Sequence, residues 1–294
     1  MPEGPEVETI RRGLELALVG QEITDVDVLF APSFPTWEGL CEQMLQKAII
    51  HHVGRRGKVL IIELESDYTL LIHLKMTGQM VLVKRDGERF AGGHPSESMA
   101  GDLPDRSTRV IFHFASGDRM FFNDQRKFGW IKLVHSDEVS FDSLLSRLGP
   151  EVLSEEFTSL YLKSQLKRHA RAPVKAVILD QSVVAGIGNI YADESLHLAR
   201  IHPARAAGSL SPVELRRLYS TIRVIIALGI EYGGTSFSHY VNSLGGRGDY
   251  LAHARVFRRQ GLPCGVCGAT IQKIRVAGRG THICPKCQKL TKSR

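Results

Sequence analysis

Apolar residues near the start of the chain fall on one helical stripe. Val7, Ile10, Leu14 and Leu18 recur at steps of three and four, which predicts a helix with one buried face. Pro5 suits the first turn, where a missing N–H costs nothing, and Glu6 and Glu8 sit where the helix dipole favours negative charge. Gly20 stops the stripe. The pattern then changes to short runs rich in β-branched and aromatic residues: ITDVDVLF, KVLIIEL, YTLLIHLKM, QMVLVKR, TRVIFHF and RMFFNDQRKFGWIKLV. Ser66-Asp67 and Ser116-Gly117-Asp118 separate neighbouring runs as hairpin turns would. Between QMVLVKR and TRVIFHF, residues 86–105 are rich in Gly, Pro, Ser and acids, which predicts a mobile loop with His94 solvated in it.

From about Leu144 the period becomes helical, through SLLSRLG, EEFTSLYLKSQLKRHA, PVKAVILDQ, NIYADESLHLAR and SPVELRRLYSTIRVIIALGIEYG. The expected fold is α+β with several domains. Residues 1–135 form an N-terminal helix and an antiparallel β-sandwich, 136–149 a linker, 150–250 a helical domain, and 251–294 a C-terminal β-hairpin pinned by metal.

Composition changes this picture in one place. The excess of 38 basic over 31 acidic side chains is modest for 294 residues, but it is unevenly spread. Residues 251–294 hold ten Lys and Arg and no Asp or Glu, so the segment repels itself unless a polyanion lies against it. Nucleic acid is the leading partner. No apolar run is long enough to span a membrane and the start lacks the basic residues of a secretory signal, which predicts a soluble, cytoplasmic protein.

Four of the five cysteines lie in this basic segment: Cys264 and Cys267, then sixteen residues, then Cys284 and Cys287. Two CxxC knuckles at that spacing present four thiolates to one tetrahedral zinc ion, in a closed and therefore structural site. Cys41 stands alone and is expected in the core. The turn VVAGIGNIYADE places Gly186 and Gly188 ahead of Asn189 at a helix start, a geometry that suits a phosphate, although a small-molecule enzyme could use it equally. Nearby, LKRHARAPVK adds Lys167, Arg168, Arg171 and Lys175. In the first half, Lys58 opens a strand, and Arg126 and Lys127 precede Phe128, with Met76 in HLKMTG. Basic residues beside an aromatic suit a wedge that fills a gap in a base stack, whereas Met and Phe in strands are more often core.

Together these residues resemble the bacterial formamidopyrimidine-DNA glycosylases over nearly the whole chain. PEGPEVET, RKFG, GIGNIYADE and the four-cysteine finger carry the resemblance, in that order. It implies a bifunctional enzyme that flips oxidised purines out of duplex DNA, removes them, and cuts the strand at the abasic site. Pro2, freed by loss of Met1, would be the nucleophile, Glu3 the acid–base residue and Glu6 a second carboxylate of the site. An α-amino group has a reference pKa of about 7.7–8.0, so an appreciable minority of it is neutral near pH 7 without special tuning. Lys58 and Arg279 would contact phosphate and support elimination, and Asn189 would bind phosphate in a helix-two-turns-helix. Met76, Arg126 and Phe128 would fill the void, Arg126 facing the orphaned cytosine, while Arg171 and Lys175 would lie near the DNA. Where many members have a histidine, this chain reads Ser107-Thr108-Arg109, and Arg109 would supply that contact. The glycine-rich stretch around 233–250 would cover the flipped base, and one copy would suffice for binding. Two rivals remain: an endonuclease VIII-type enzyme for oxidised pyrimidines, against which HLKMTG and RKFG argue, and a non-catalytic zinc-ribbon DNA-binding protein.

Overall fold

The computed structural model describes residues 2–37, 39–235 and 248–290. The chain divides into two compact units, Met1–Ser146 with Tyr232–Asp249, and Arg147–Glu231 with Tyr250–Arg294. The glycine-rich segment expected to cover a base lies largely outside the described residues. Its stem, Tyr232–Thr235 with Gly248 and Asp249, belongs to the first unit rather than to the helices it follows.

The first unit opens with α1 (Gly4–Leu18), whose Val7, Ile10, Leu14 and Leu18 are all buried as the spacing predicts. Strands β1 (Ile23–Val28), β7 (Thr108–Phe114), β8 (Arg119–Asp124), β5 (Gly78–Val83) and β6 (Arg89–Gly93) pair in that order into one antiparallel sheet. Strands β2 (Ile50–Arg56), β3 (Val59–Leu64), β4 (Tyr68–His73) and β9 (Trp130–His135) form a second. Helix α2 (Gly39–Leu45) lies between β1 and β2 in sequence. Apolar side chains of both sheets and of α1, among them Leu14, Leu60, Ile72, Met80, Phe112 and Phe122, make one core, and Cys41 packs half-buried against it. RMFFNDQRKFGWIKLV is two strands in different sheets, broken at the RKFG turn.

The 86–105 stretch is not loop throughout. It contains β6 and then folds over the outer face of its sheet, where Met99 and Leu103 pack on Val81, Ala91, Ile111 and Phe121. Glycine makes the pairing possible at its end. A Cβ on Gly93, which sits at φ +126°, would lie 2.8 Å from the Gln79 Cα.

The second unit contains α3 (Ser159–Arg168), α4 (Val174–Leu179), α5 (Asn189–Leu198), α6 (Pro212–Glu231), α7 (Tyr250–His253) and the hairpin β10 (Gln272–Val276) and β11 (Arg279–Ile283). The Thr158 hydroxyl caps α3 by accepting from Tyr161 N at 3.0 Å. Leu215, Leu218, Ile222, Ile225 and Ile226 form the buried stripe of α6. Among the described residues no helix is long and apolar enough to cross a membrane.

Candidate functional site

The start of α1 is built from its own acidic residues. Glu3 is the N-cap, and its backbone N–H donates to Glu6 Oε2 at 2.9 Å, one half of a capping box. Pro2, Glu3 and Glu6 are buried. The other Glu6 oxygen accepts from the Thr235 N–H at 2.8 Å and its hydroxyl at 3.0 Å. Gly234, at φ +78°, passes so close that a Cβ there would lie 2.8 Å from Glu6 Oε1. Polar ties hold α1 against β2, among them Val53 N–H to Glu15 Oε2 at 2.7 Å, Arg55 Nε to Glu8 Oε2 at 2.8 Å, and Arg11 to Val53 O at 3.3 Å. Lys58 follows Gly57, at φ +58°, in the two-residue tip of the β2–β3 hairpin. Burial, then the Lys75 and Lys58 charges, push the His73 imidazole down to about 3. It is therefore neutral, and its Nδ1 accepts from Lys75 N at 2.9 Å.

Met76, Arg126 and Phe128 come together at the surface of the same unit. The Arg126 guanidinium carbon stands 4.7 Å from the Phe128 ring centre and its Nη1 lies 3.0 Å from Met76 Sδ. Both Met76 and Phe128 are exposed. Fully buried Asp124 organises this turn: it accepts from the Thr77 hydroxyl and from the backbone N–H groups of Arg126 at 3.1 Å, Phe128 at 2.8 Å and Gly129 at 2.6 Å. Lys127 takes a left-handed φ of +58° within it. Sequence reasoning singled out the wedge and missed Asp124, although an acid two residues before a basic pair at a strand end is a turn signal.

Arg109 sits differently from its expected place. It is only 8% exposed, with Nε donating to Asp124 O at 2.9 Å and Nη1 to Thr108 O at 3.2 Å, and it stands 5.8 Å from the Phe30 ring. Its guanidinium holds the backbone of Asp124, the residue whose carboxylate organises the RKFG turn.

In the second unit, the Gln181 side chain shapes the turn before α5, accepting from Gly186 N at 3.0 Å and donating to Ile187 O at 2.8 Å. Gly186 is at φ +88°. Asn189 begins α5 and donates through Nδ2 to Gly280 O at 3.0 Å. Arg171 is exposed. Arg279 is exposed at the first position of β11, after a two-residue turn in which Ala277 and Gly278 both have positive φ, the type I′ pattern. Lys175 departs from the expected DNA-facing position because it has no accessible surface. It forms an ion pair with equally buried Asp193 at 2.6 Å, and its Nζ also reaches Thr281 Oγ1 at 2.7 Å and Gly280 O at 3.3 Å. The charge is spent inside the unit, holding the strand that begins with Arg279.

Cys264, Cys267, Cys284 and Cys287 place their sulfur atoms within 4.8 Å of one another. Three separations are 3.9, 3.4 and 3.5 Å. Sulfurs at about 2.3 Å from a tetrahedral zinc stand roughly 3.8 Å apart, so the four fit one zinc ion. The α5 residues Asp193 and Glu194 dock on this finger: Asp193 accepts from His282 N at 2.8 Å, and Glu194 from the N–H groups of Arg255, Val256 and Phe257 at 2.7, 2.9 and 2.8 Å.

Three family models match the chain: the formamidopyrimidine-DNA glycosylase N-terminal domain over residues 1–131, its H2TH domain over 148–241, and the zinc finger found in FPG and IleRS over 261–290. The chain is 43% identical over 293 residues to the formamidopyrimidine-DNA glycosylase of Pelotomaculum thermopropionicum, covering 99% of this chain and 100% of that protein. It is 42% identical over 293 residues to the one from Desulforamulus reducens, covering 98% and 99%. Among solved structures, Lactococcus lactis Fpg (MutM) in complex with DNA containing N7-benzyl-Fapy-dG superposes with a TM-score of 0.86 at 35% identity, covering 98% of this chain and 100% of that one. The same protein with DNA containing an abasic site superposes with a TM-score of 0.85 at 34% identity and the same coverage.

Proposed function

The chain belongs to the formamidopyrimidine-DNA glycosylase family, and from that premise we propose that it excises oxidised purines, 8-oxoguanine and formamidopyrimidines, from duplex DNA and then cuts the strand through a Schiff base on Pro2. The observation that carries this reading is the buried cluster of Pro2, Glu3 and Glu6 at the start of a tightly held helix. With Met1 removed, Pro2 is a secondary amine. Its lone pair attacks the sugar anomeric carbon, and the bond to the base breaks with its electron pair leaving on the base, which takes up the proton that the alkylated amine loses. The Glu3 carboxyl supplies a proton to the ring oxygen as the sugar opens to the iminium. The resulting iminium withdraws electrons from the sugar, so a proton is lost beside it and the 3′ phosphate departs, followed by the 5′ phosphate. Glu6 steers proton or water transfer. Lys58 contacts phosphate in the first unit, and Asn189, Arg171 and Arg279 offer basic or polar groups to the backbone in the second.

Zinc, held by the four cysteines, supplies no step of the chemistry. A closed four-cysteine site fixes the hairpin that presents Arg279. Met76, Arg126 and Phe128 replace the extruded nucleotide in the stack, with Arg126 donating to the orphaned cytosine. Arg109 and Lys175 act at one remove, each supporting a residue at the surface.

Borohydride reduction with a duplex containing 8-oxoguanine tests the chemistry. It is expected to trap a covalent adduct that peptide mapping places on residue 2. No adduct with either damaged or abasic duplex would sink the lyase mechanism, and would leave a DNA-binding protein. Arg126→Ala is expected to reduce the preference for cytosine over adenine opposite the lesion by about tenfold, the scale of one well-formed base contact. The ratio of single-turnover excision rates on the two duplexes measures it; an unchanged ratio assigns the choice elsewhere. A second reading, removal of oxidised pyrimidines by the same pocket, is favoured by a further Lactococcus lactis Fpg complex, with DNA containing an oxidised pyrimidine, at a TM-score of 0.85 and 35% identity.

A further inference from the structure

Helix α5 ends its polar docking face on the metal centre itself. One helical turn beyond Asp193, on the same side of the helix, His197 places Nε2 3.5 Å from Cys264 Sγ. Both residues are buried, His197 at 3% exposure. The other ring nitrogen, Nδ1, is also buried and has no hydrogen-bond partner among the described residues. The sulfur contact is therefore the polar contact through which the ring is oriented.

We infer that His197 is a positioning residue for the zinc centre, donating its Nε2–H to the Cys264 thiolate. A metal-bound thiolate offers only lone pairs, so the ring nitrogen facing it carries the proton whether the imidazole is neutral or charged. Four thiolates around one zinc ion leave a net charge of about −2 in a small volume, and each N–H directed at a sulfur spreads part of it. Backbone donors already serve this purpose, from Val266 N to Cys264 Sγ at 3.5 Å and from Cys287 N to Cys284 Sγ at 3.4 Å. Cys264 thus accepts from its own knuckle and from α5, and its second donor comes from outside the finger's own sequence. Such partners of a ligand set its orientation and basicity. Here the bond links the first CxxC knuckle to the helix that begins with Asn189. Metal retention and the seating of the finger on α5 become one property.

Zinc-loaded, full-length His197→Phe and His197→Gln proteins test this. Phenylalanine keeps a flat ring without a donor, and glutamine restores an N–H. Chelator-driven zinc release is expected to be about tenfold faster or more in His197→Phe, the usual scale for losing such a partner, and near the wild-type rate in His197→Gln. In cobalt-substituted protein the sulfur-to-cobalt charge-transfer band should shift in the phenylalanine variant and not in the glutamine variant. Wild-type release with an unshifted band in His197→Phe overturns the proposal. Equal acceleration in both variants also overturns it, because that pattern reports lost packing rather than a lost donor. If His197→Phe does not fold, His197→Gln decides alone: wild-type release and band support the bond, and faster release with a shifted band refutes it.

Discussion

Glu3→Gln is expected to slow excision of 8-oxoguanine by about 10²–10⁴-fold, the range for losing a positioned acid–base group, while Pro2 still forms a trappable adduct with a pre-formed abasic site. The two outcomes separate because the substitution preserves shape and removes one proton-transfer group. Glu3 is buried at the N-cap, with its backbone N–H tied to Glu6 Oε2, and an amide of the same size can occupy that place. At an abasic site there is no base to expel and the sugar opens on its own, so the amine needs less help. Single-turnover excision and borohydride trapping on the two duplexes give the comparison, with thermal melting to establish that the fold is intact. Excision within tenfold of wild type would remove Glu3 from the chemistry. Loss of both activities together would place its role in holding the terminus.

Lys175→Met is the second large effect, and it arises far from any reacting atom. Lys175 and Asp193 are both fully buried and paired at 2.6 Å. Deleting one partner leaves a buried carboxylate without its counter-charge, which costs about 3–5 kcal/mol. The same substitution releases Thr281 Oγ1 and Gly280 O, so the strand that begins with Arg279 loses an anchor. Urea unfolding should show the destabilisation and filter binding a weaker hold on DNA. Adding Asp193→Leu should recover part of the stability, since a buried ion pair replaced by apolar groups is often neutral or better. Stability of Lys175→Met within about 1 kcal/mol of wild type, well short of the expected penalty, would show that the pair contributes little.

The sequence made some of this legible and concealed the rest for physical reasons. The α1 stripe and the zinc ligands depend on spacing within a few residues, so they could be read directly. Strand β2, IHHVGRR, carries too little apolar character to announce itself. It is a strand because β3 pairs with it and because Glu8 and Glu15 of α1 bond Arg55 and Val53. Strand β6 ends in glycines that read as loop, yet only glycine permits the approach of Gly93 to the Gln79 backbone. Lys175 looked like one member of a basic surface because its partner Asp193 is eighteen positions away, in the next helix. Arg109 looked available because nothing local reveals that Asp124 O already holds it. In each case the missing information was a partner distant in sequence.

Chain ends are ordinarily the most permissive places in a protein, frayed and tolerant of added residues. The first helix here reverses that rule. A Cβ on Gly13 would lie 1.9 Å from the Phe90 ring, so α1 is seated against β6 without room to slide, while Glu6 fastens its first turn to Thr235. Insertions that a typical terminus would absorb meet a fixed wall. A library of random extensions ahead of Pro2 should therefore be stripped of nearly all functional clones, while one of insertions at the 86–87 turn retains many more.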